Sequence, residues 1–431
     1  MSENNLGIGI IGTGRRGHSL GVCAAELYHS AGVEVRALCN RTRLRMEQAK
    51  DSLVKIYQEN NVSPSISLYQ NYQDLVDAPE VDLIMITTPQ YTHKDQAVYA
   101  LESGKKVFLD KPIAHNLEDA LAIRQQEIRE SNPMTIGFTR RFEAIWNKTF
   151  NLVTEGVIGN VKMMLIRNLI PYHTYFHTWH RKLEWSGGAL ADKMSHFFDV
   201  FNWFSGSYPE RVSAYGGQSV FAPDTKAPAR CSECDSSYYR RTKASSGRGE
   251  LDKDCPYRVG EKKEKARQDT MVDFDNSRFR EKEIIKRHDN CVWLPGADIN
   301  DHGIVNLVYP DGLKAVLFWS IFGPDSNDQE TFELVGTRGK IVLSRHTGNL
   351  EIISDYGNSR QEVEVKDDQF TASHFGADHR LIMELEQFYK GSPPVVSGKE
   401  GVGAARIVEA AHRSIQYGGK PLVMKDIQDV E

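Results

Sequence analysis

The sequence has no long apolar run, no excess of basic residues and little cysteine. No stretch of about 18 consecutive apolar residues is present, which argues against a membrane-spanning helix. Lysine and arginine number 53 against 58 acidic residues, and a net charge of −5 does not favour nucleic-acid binding. The six cysteines are irregularly spaced, unlike the disulfide framework of a small secreted domain. The opening residues, MSENNLGIGIIG, lack the basic region and cleavage site of a signal peptide, so we expect a cytoplasmic protein without membrane or nucleic-acid partners.

A glycine-rich turn, G-T-G-R-R-G at residues 12–17, follows the first apolar run, Leu6–Ile11. A helical pattern and a second apolar strand come next, which is the context of a dinucleotide-binding turn. In such a turn Gly12 permits the tight bend, Gly14 admits a pyrophosphate, and Gly17 lets the helix pack closely on the strand. The alternative is a glycine-rich turn without a ligand. The predicted cofactor contacts here are Gly12, Thr13, Gly14, Arg15, Arg16 and Gly17.

The end of the second strand bears on which dinucleotide is bound. An acidic residue at this place would bind the ribose 2′-hydroxyl of NAD and repel a 2′-phosphate. Here Asn40 is neutral, and Arg41 and Arg43 are cationic. Arginine favours phosphate, so the sequence favours NADP over NAD, although solvated surface arginines are the ordinary alternative.

Strands and helices then alternate through residues 81–138, which predicts a doubly wound parallel sheet. Ligands of such sheets lie beyond the carboxyl ends of the strands. At those ends we expect further cofactor contacts from Thr88, Pro89, His93, Asp110, Lys111 and Pro112. The chain of 431 residues is too long for one ordinary domain. We therefore divide it into a dinucleotide-binding domain at 1–140 and an α+β domain at 141–431.

Residues 190–204 carry polar groups within an otherwise apolar helical pattern. At about 100° per residue, Asp192 and His196 lie one turn apart on one stripe, and the phenylalanines face away. A carboxylate beside an imidazole fixes its tautomer and favours its protonated form. This pair suits a proton transfer that accompanies hydride transfer, whereas the alternative is a solvated polar face.

Five motifs in one order give the chain a resemblance to the Gfo/Idh/MocA family of oxidoreductases. They are G-x-G-x-x-G at 12–17, T-P-x-x-x-H at 88–93, D-K-P at 110–112, G-F-x-x-R-F at 137–142 and G-G-x-x-x-D-x-x-x-H at 187–196. Asp110 replaces the glutamate that is usual in that family. The resemblance implies a Rossmann domain, then an α+β domain with a large, open, mostly antiparallel sheet. It also implies hydride transfer at a carbinol carbon of a sugar, cyclitol or polyol, with Lys111, Asp192 and His196 as catalytic residues.

Candidate substrate contacts lie in three places. Arg140 and Arg141 follow a strand at the domain junction and either hold substrate oxygens or pair with carboxylates. Residues 171–185 combine aromatic rings, which stack on sugars, with histidines and basic residues. Lys193 lies at the edge of the polar stripe. The predicted substrate contacts are Arg140, Arg141, His177, Trp179, Arg181 and Lys193.

Residues 223–290 form a polar insertion that contains or borders four cysteines. Residues 240–290 hold 26 charged positions among 51, a composition that packs poorly by itself. Cys231, Cys234, Cys255 and Cys291 have the ligand count of a structural zinc site, with free thiols or a disulfide as alternatives.

Three functions compete. The first is an NAD(P)-dependent dehydrogenase of a sugar, cyclitol or glycoside. The second is a glycoside-cleaving enzyme in which bound NAD transiently oxidises C3 and is then reduced back. The third is a non-catalytic sensor on the same fold, which would not need Lys111, Asp192 and His196 together. One face of a large open sheet must be buried, so we also expect a homodimer or homotetramer.

Overall fold

The computed structural model describes residues 5–242, 254–259, 289–366, 370 and 372–428. Within these residues, no helix is long and apolar enough to cross a membrane. Two sheets organise the chain, one of six strands and one of nine. The polar insertion predicted at 223–290 falls partly outside the described residues, which resume at 254–259 and again at 289.

The first sheet is parallel, as predicted, with the strand order β3-β2-β1-β4-β5-β6. Its strands are β1 Leu6–Ile11, β2 Val33–Cys39, β3 Ser67–Tyr69, β4 Leu83–Ile86, β5 Lys106–Leu109 and β6 Thr135–Ile136. The central strands β1 and β4 are buried along their whole length. Covering of both sheet faces explains why these strands are continuous apolar runs without alternation.

Helices connect these strands and cover both faces. They are α1 Arg15–Glu26, α2 Tyr28–Ala31, α3 Arg43–Glu59, α4 Tyr72–Val76, α5 His93–Glu102 and α6 Leu117–Arg129. The sequence explains where α4 and α6 begin, because the side chains of Asn71 and Asn116 accept hydrogen bonds from backbone amides of the first turn.

The second sheet has the order β14-β13-β12-β11-β7-β10-β9-β8-β15 and is mostly antiparallel, as the family resemblance implied. Its strands are β7 Val161–Leu169, β8 Arg211–Gly217, β9 His302–Val308, β10 Lys314–Ser320, β11 Glu330–Gly336, β12 Lys340–Ser344, β13 Asn349–Ser354, β14 Ser359–Glu364 and β15 Leu422–Val423. The antiparallel pattern of the late strands is interrupted once. β7 lies between β10 and β11 and runs parallel to β10.

Further helices follow the first sheet in the described chain: α7 Ala144–Thr154, α8 Thr174–His177, α9 Leu183–Ser186, α10 Ser195–Ser205, α11 Ser237–Thr242, α12 Ala377–Tyr389 and α13 Gly398–Gln416. The helices α7, α10 and α13 pack on the second sheet, whereas α12 packs against α1 and α2. Single 3₁₀ turns lie at Gln90–Thr92, Thr139–Phe142, Trp179–Arg181, Asp355–Gly357, Ser373–Gly376 and Met424–Asp426. α13 is held at its start by a capping box between Ser397 and Glu400.

The helix predicted over 190–204 is not uniform. Leu190–Met194 is a π-helical segment, and the α-helix α10 begins only at Ser195. Since a π segment bonds each carbonyl to the amide five residues on, a regular 3.6-residue wheel does not describe the surroundings of Asp192. The phenylalanines of α10 are buried, as predicted.

Candidate active site

The glycine turn has the geometry that phosphate binding requires. Gly12 has a φ of +98°, which side-chain-bearing residues rarely adopt. A Cβ at Gly17 would lie 2.0 Å from the carbonyl oxygen of Gly12, so only glycine lets the helix approach. A Cβ at Gly14 would meet nothing within 4 Å, because that side of the turn is open. The turn therefore leaves space for a pyrophosphate at the start of α1, where backbone amides are free to bind it.

The residues at the strand ends surround this open side. Asn40 donates from Nδ2 to the Thr13 hydroxyl at 3.0 Å, and its Oδ1 accepts from the Thr42 amide at 3.0 Å. Thr88 donates its hydroxyl to Gln96, and Pro89 continues the same loop. Arg15 and Arg41 are exposed at the rim. The loops around this open side therefore present a neutral amide, that of Asn40, where an acidic residue would select NAD.

Two predicted cofactor contacts are engaged by protein groups instead. Arg16 pairs with Asp110 at 3.0 Å and with Asp378 on α12 at 2.6 Å, so its guanidinium joins the glycine turn to the C-terminal helix. Asp110 is 8% exposed.

His93 is 1% exposed, and its two ring nitrogens lie 2.9 Å and 3.0 Å from the carbonyl oxygens of Thr88 and Pro112. The prediction that His93 contacts the cofactor is therefore wrong: the ring fastens the loops after β4 and β5 to each other. Burial lowers the pKa of this imidazole.

Lys111 meets Asp192 where the two domains adjoin. The Lys111 ammonium donates to the Asp192 backbone carbonyl at 2.5 Å and to its Oδ1 at 3.2 Å. Gln90 donates from Nε2 to the same Oδ1 at 2.5 Å, and the Tyr175 hydroxyl donates to Oδ2. The Lys111–Pro112 peptide bond is cis.

This cluster places a carboxylate, Asp192, between an ammonium and a neutral phenol. Burial opposes ionisation of Asp192, but the Lys111 ammonium and the hydrogen bonds from Tyr175 and Lys111 outweigh it and lower its pKa to about 2. Burial and the neighbouring carboxylate raise the pKa of Tyr175 well above its ordinary value. Asp192 is therefore an anion that holds a cation, and Tyr175 is a neutral donor.

His196 does not pair with Asp192, in contrast to the prediction. Within the described residues, no hydrogen bond joins it to Asp192, and its buried Nδ1 has no hydrogen-bond partner. Burial and the cations Arg140, Lys111 and Lys193 lower its pKa well below the usual range, whereas the sequence interpretation favoured the protonated form. The predicted pairing of Asp192 with His196 compared positions within residues 190–204 only. Across the domain junction Asp192 meets an ammonium, which binds a carboxylate more strongly than a neutral imidazole does.

The two arginines at the junction form ion pairs. Arg140 is 1% exposed and pairs at 2.9 Å with both Glu143 and Glu330. Arg141 makes two hydrogen bonds to Asp199, at 3.0 Å and 2.8 Å. Of the two predicted alternatives, the structure places both side chains in pairs with carboxylates.

The aromatic segment 171–185 is divided between the site and the core. His177 and Arg181 are both 0% exposed, so the prediction that they touch substrate is wrong. His177 Nδ1 bonds the carbonyl of Asn290 at 2.6 Å, and Arg181 donates to the carbonyls of Phe176 and Pro295. Trp179 is partly exposed and packs edge-on against Tyr91.

Lys193 lies beside Tyr172 at the open side of this cluster. Its Nζ is 5.2 Å from the centre of the Tyr172 ring. Lys193 is the main cause of a lowered pKa at Tyr172, with Lys111 and Arg140 adding to it. The four predicted metal ligands, Cys231, Cys234, Cys255 and Cys291, lie elsewhere, around one cavity behind the 171–185 segment.

Comparison with known protein families assigns both parts of the chain. Residues 6–138 match the family model described as "Oxidoreductase family, NAD-binding Rossmann fold", GFO_IDH_MocA. Residues 151–423 match its companion, "Oxidoreductase family, C-terminal alpha/beta domain". The chain belongs to the Gfo/Idh/MocA oxidoreductase family. The resemblance inferred from the five motifs is thereby confirmed.

Relatives in this family include named dehydrogenases. The chain is 24% identical to the putative oxidoreductase YteT of Bacillus subtilis over 386 residues, or 83% of this chain and 84% of that one. It is 28% identical to inositol 2-dehydrogenase of Gluconacetobacter diazotrophicus over 205 residues, 46% of this chain and about half (54%) of that one. Levoglucosan dehydrogenase in complex with NADH and levoglucosan has the same fold, with a TM-score of 0.70, 17% identity, and coverage of 97% and 99%.

Sequence reasoning missed three residues of this Gfo/Idh/MocA site. Gln90 and Tyr175 both bond the Asp192 carboxylate, and Tyr172 lies beside Lys193. Gln90 occupies a variable position inside T-P-x-x-x-H, so the motif did not single it out. Tyr175 and Tyr172 belong to the aromatic segment 171–185, in which the predicted substrate contacts were His177, Trp179 and Arg181.

Proposed function

We propose that this chain catalyses hydride transfer between a nicotinamide dinucleotide and the carbinol carbon of a sugar, cyclitol or glycoside. The observation that carries the proposal is the Lys111 ammonium, which follows β5 and donates to the backbone carbonyl and the carboxylate of Asp192, a residue in the segment that leads into His196. Relatives named as inositol and levoglucosan dehydrogenases support a polyhydroxylated substrate.

The chemistry divides among three side chains. When bound, the dinucleotide accepts or donates the hydride at its nicotinamide ring. Lys111 donates a hydrogen bond to the reacting oxygen and stabilises the negative charge that develops there. In the direction of oxidation, neutral His196 accepts the hydroxyl proton as the hydride leaves the carbon. Asp192, bonded by Tyr175 and Gln90, keeps the lysine in position.

The cofactor is NADP or NAD, and we propose that NADP is preferred. Asn40 places an amide, and not a carboxylate, at the end of β2. The exposed Arg41 stands next to it and can meet a 2′-phosphate. Arg43 pairs with Glu47 at 2.8 Å and contributes less positive charge to this place.

The substrate would lie beside Trp179, Tyr172 and Lys193. Trp179 is partly exposed and its ring stacks on that of His180 with the ring centres 3.8 Å apart, and aromatic rings of this kind also stack on sugars. Lys193 and Tyr172 offer an ammonium and a hydroxyl to substrate oxygens.

We also propose that the chain associates with copies of itself through the open sheet. Cross-strand register places exposed apolar side chains on one face. They are Met163 (56% exposed), Leu165 (41%), Tyr215 (59%), Ile304 (37%), Phe318 (44%) and Val335 (36%). A patch of this kind marks an interaction surface, and a closed pair of identical sheets would bury it.

Fluorescence titration with NADH and NADPH, followed by a screen of polyols and glycosides against the preferred form, tests the function. We expect tight binding of one dinucleotide and a substrate-dependent change in nicotinamide absorbance. Glycoside cleavage without net change in nicotinamide would instead favour the oxidation–elimination route. Failure of both dinucleotides to bind would overturn the proposal.

A further inference from the structure

Four of the six cysteines line one cavity, although they come from three separate parts of the chain. Cys231, Cys234, Cys255 and Cys291 share this cavity, and within the described residues none of them forms a disulfide. The backbone brings two of these segments together. Arg230 pairs with Asn290 in an antiparallel bridge, and the amides of Cys231 and Cys291 donate to the carbonyls of Asp289 and Ala229.

The cysteines occupy tight turns of the backbone. The amides of Cys234, Arg258 and Leu294 each donate to the carbonyl of the cysteine three residues earlier. Turns that begin at Cys231, Cys255 and Cys291 therefore bring side chains from three separate segments to one cavity.

Two arginines, Arg230 and Arg258, line the cavity. Arg230 lies 3.6 Å from Asp289 and 4.0 Å from Glu233, so carboxylates already match its charge, and Arg258 is exposed to solvent. Four thiolates around one divalent cation carry a net charge of about −2, which nearby guanidinium groups do not oppose.

We propose that Cys231, Cys234, Cys255 and Cys291 bind one zinc ion as four thiolates. Structural zinc takes four ligands in tetrahedral geometry at about 2.3 Å from each sulfur. In the described part of the chain, no three of these sulfurs lie within 4.8 Å of one another, so tetrahedral coordination would require the cysteine side chains to turn inward. Soft thiolate ligands in this number select zinc over magnesium or calcium.

The zinc would stabilise the polar insertion and brace the aromatic segment of the site. Residues 240–290 have too few apolar side chains for a core of their own. Cys231 Sγ lies 3.9 Å from His177 Nδ1, and Asn290 exchanges hydrogen bonds with His177. His177 ends the helix α8, which carries Tyr175 to Asp192. A metal behind α8 would therefore fix one side of the candidate active site.

Elemental analysis of the full-length protein, purified under reducing conditions without chelator, tests this inference. We expect about one zinc ion per chain, and its loss in Cys234→Ser. Cys23→Ala is the matched control, because it removes a buried cysteine from the separate Cys23, Glu26 and His379 group and should retain zinc. Zinc below about 0.2 ions per chain, iron in its place, or full zinc in Cys234→Ser would overturn the proposal.

A second measurement serves if the Cys234→Ser protein does not fold. Wild-type protein is titrated with an organomercurial while a colorimetric indicator reports released zinc. We expect release of one zinc ion as about four thiols react, and a lower midpoint of thermal unfolding for the metal-free protein. No release as all six cysteines react would refute the site. Neither readout depends on dinucleotide binding or turnover, so this result stands apart from the proposed function.

Discussion

Lys111 Nζ lies 2.5 Å from the backbone carbonyl oxygen of Asp192, a residue 81 positions later in the chain. Lys111 follows a strand of the parallel sheet, and Asp192 lies in the π segment before α10. Residues of both domains therefore determine the position of the Lys111 ammonium. Any shift between the domains would move the one cation that the proposed chemistry needs beside the reacting oxygen.

Lys111→Met should abolish most turnover while leaving the cofactor bound. The variant keeps the length of the side chain but removes the donor to the developing oxyanion, so kcat should fall about a hundred- to a thousandfold. Steady-state kinetics on the substrate found by screening measure the loss. Cofactor titration should show a much smaller change in the dissociation constant than in kcat, because Lys111 is only one of several predicted cofactor contacts.

Lys55→Met is the control for this variant, because Lys55 is exposed on α3, away from the site. Its kcat should match that of the wild type. Turnover by Lys111→Met within a factor of about two of the wild type would refute the role given to Lys111.

Lys193→Met should shift the pH profile of oxidation. As the base, His196 must be neutral, and its lowered pKa places the acid limb of kcat/KM below pH 6.5. Lys193 is one of the cations that lower this pKa, so its removal should raise it. The acid limb should then move to higher pH, and the variant should lose a larger share of its maximal activity as the pH falls.

The comparison uses the shape of each profile and not its height, since Lys193 also faces the substrate position. Lys55→Met should leave the limb where it is. His196→Asn should remove the limb together with most of kcat. An unmoved limb in Lys193→Met would mean that another group sets it.

The parallel sheet could be predicted from sequence because each of its strands can be recognised from a few consecutive residues. Each strand is a short apolar run, and the run Leu6–Ile11 matches the first strand to the residue. The position of β7 between β10 and β11 could not be predicted, because it depends on pairing across about 150 residues and no local pattern encodes a partner. The resemblance implied a mostly antiparallel sheet but not this one parallel pairing within it.

The candidate site also has features that could be predicted from the sequence and features that could not. The motifs and their order predicted that Lys111, Asp192 and the glycine turn lie around one crevice. It could not show which partner Asp192 prefers, because the competing ammonium belongs to another domain. It also could not separate His177 and Arg181, which are buried, from Trp179, which is not, since all three share one polar and aromatic segment.

Asn40→Asp should redirect cofactor preference toward NADH. A carboxylate at the end of β2 would accept from a ribose 2′-hydroxyl and repel a 2′-phosphate. The ratio of the NADPH and NADH dissociation constants should rise at least about tenfold, equivalent to about 1.4 kcal/mol. Fluorescence titration of both dinucleotides measures it, with the exposed Asn358→Asp as a control that should leave the ratio unchanged. An unchanged ratio in Asn40→Asp would place the ribose elsewhere.

Phe318→Glu combined with Leu165→Glu should prevent self-association through the open sheet. Both side chains project from the uncovered face, and Phe318 lies directly opposite Ile304 on the neighbouring strand. Charges at the centre of an apolar interface lose hydration without gaining partners, so the assembly should dissociate. Light scattering coupled to size-exclusion chromatography should give an oligomeric mass for the wild type and a monomer mass for the double variant. Leu44→Glu changes an exposed leucine on α3, outside this face, and should leave the oligomer intact. A wild-type protein that is monomeric at micromolar concentration would disprove the proposed interface, because the apolar face would then be uncovered in solution.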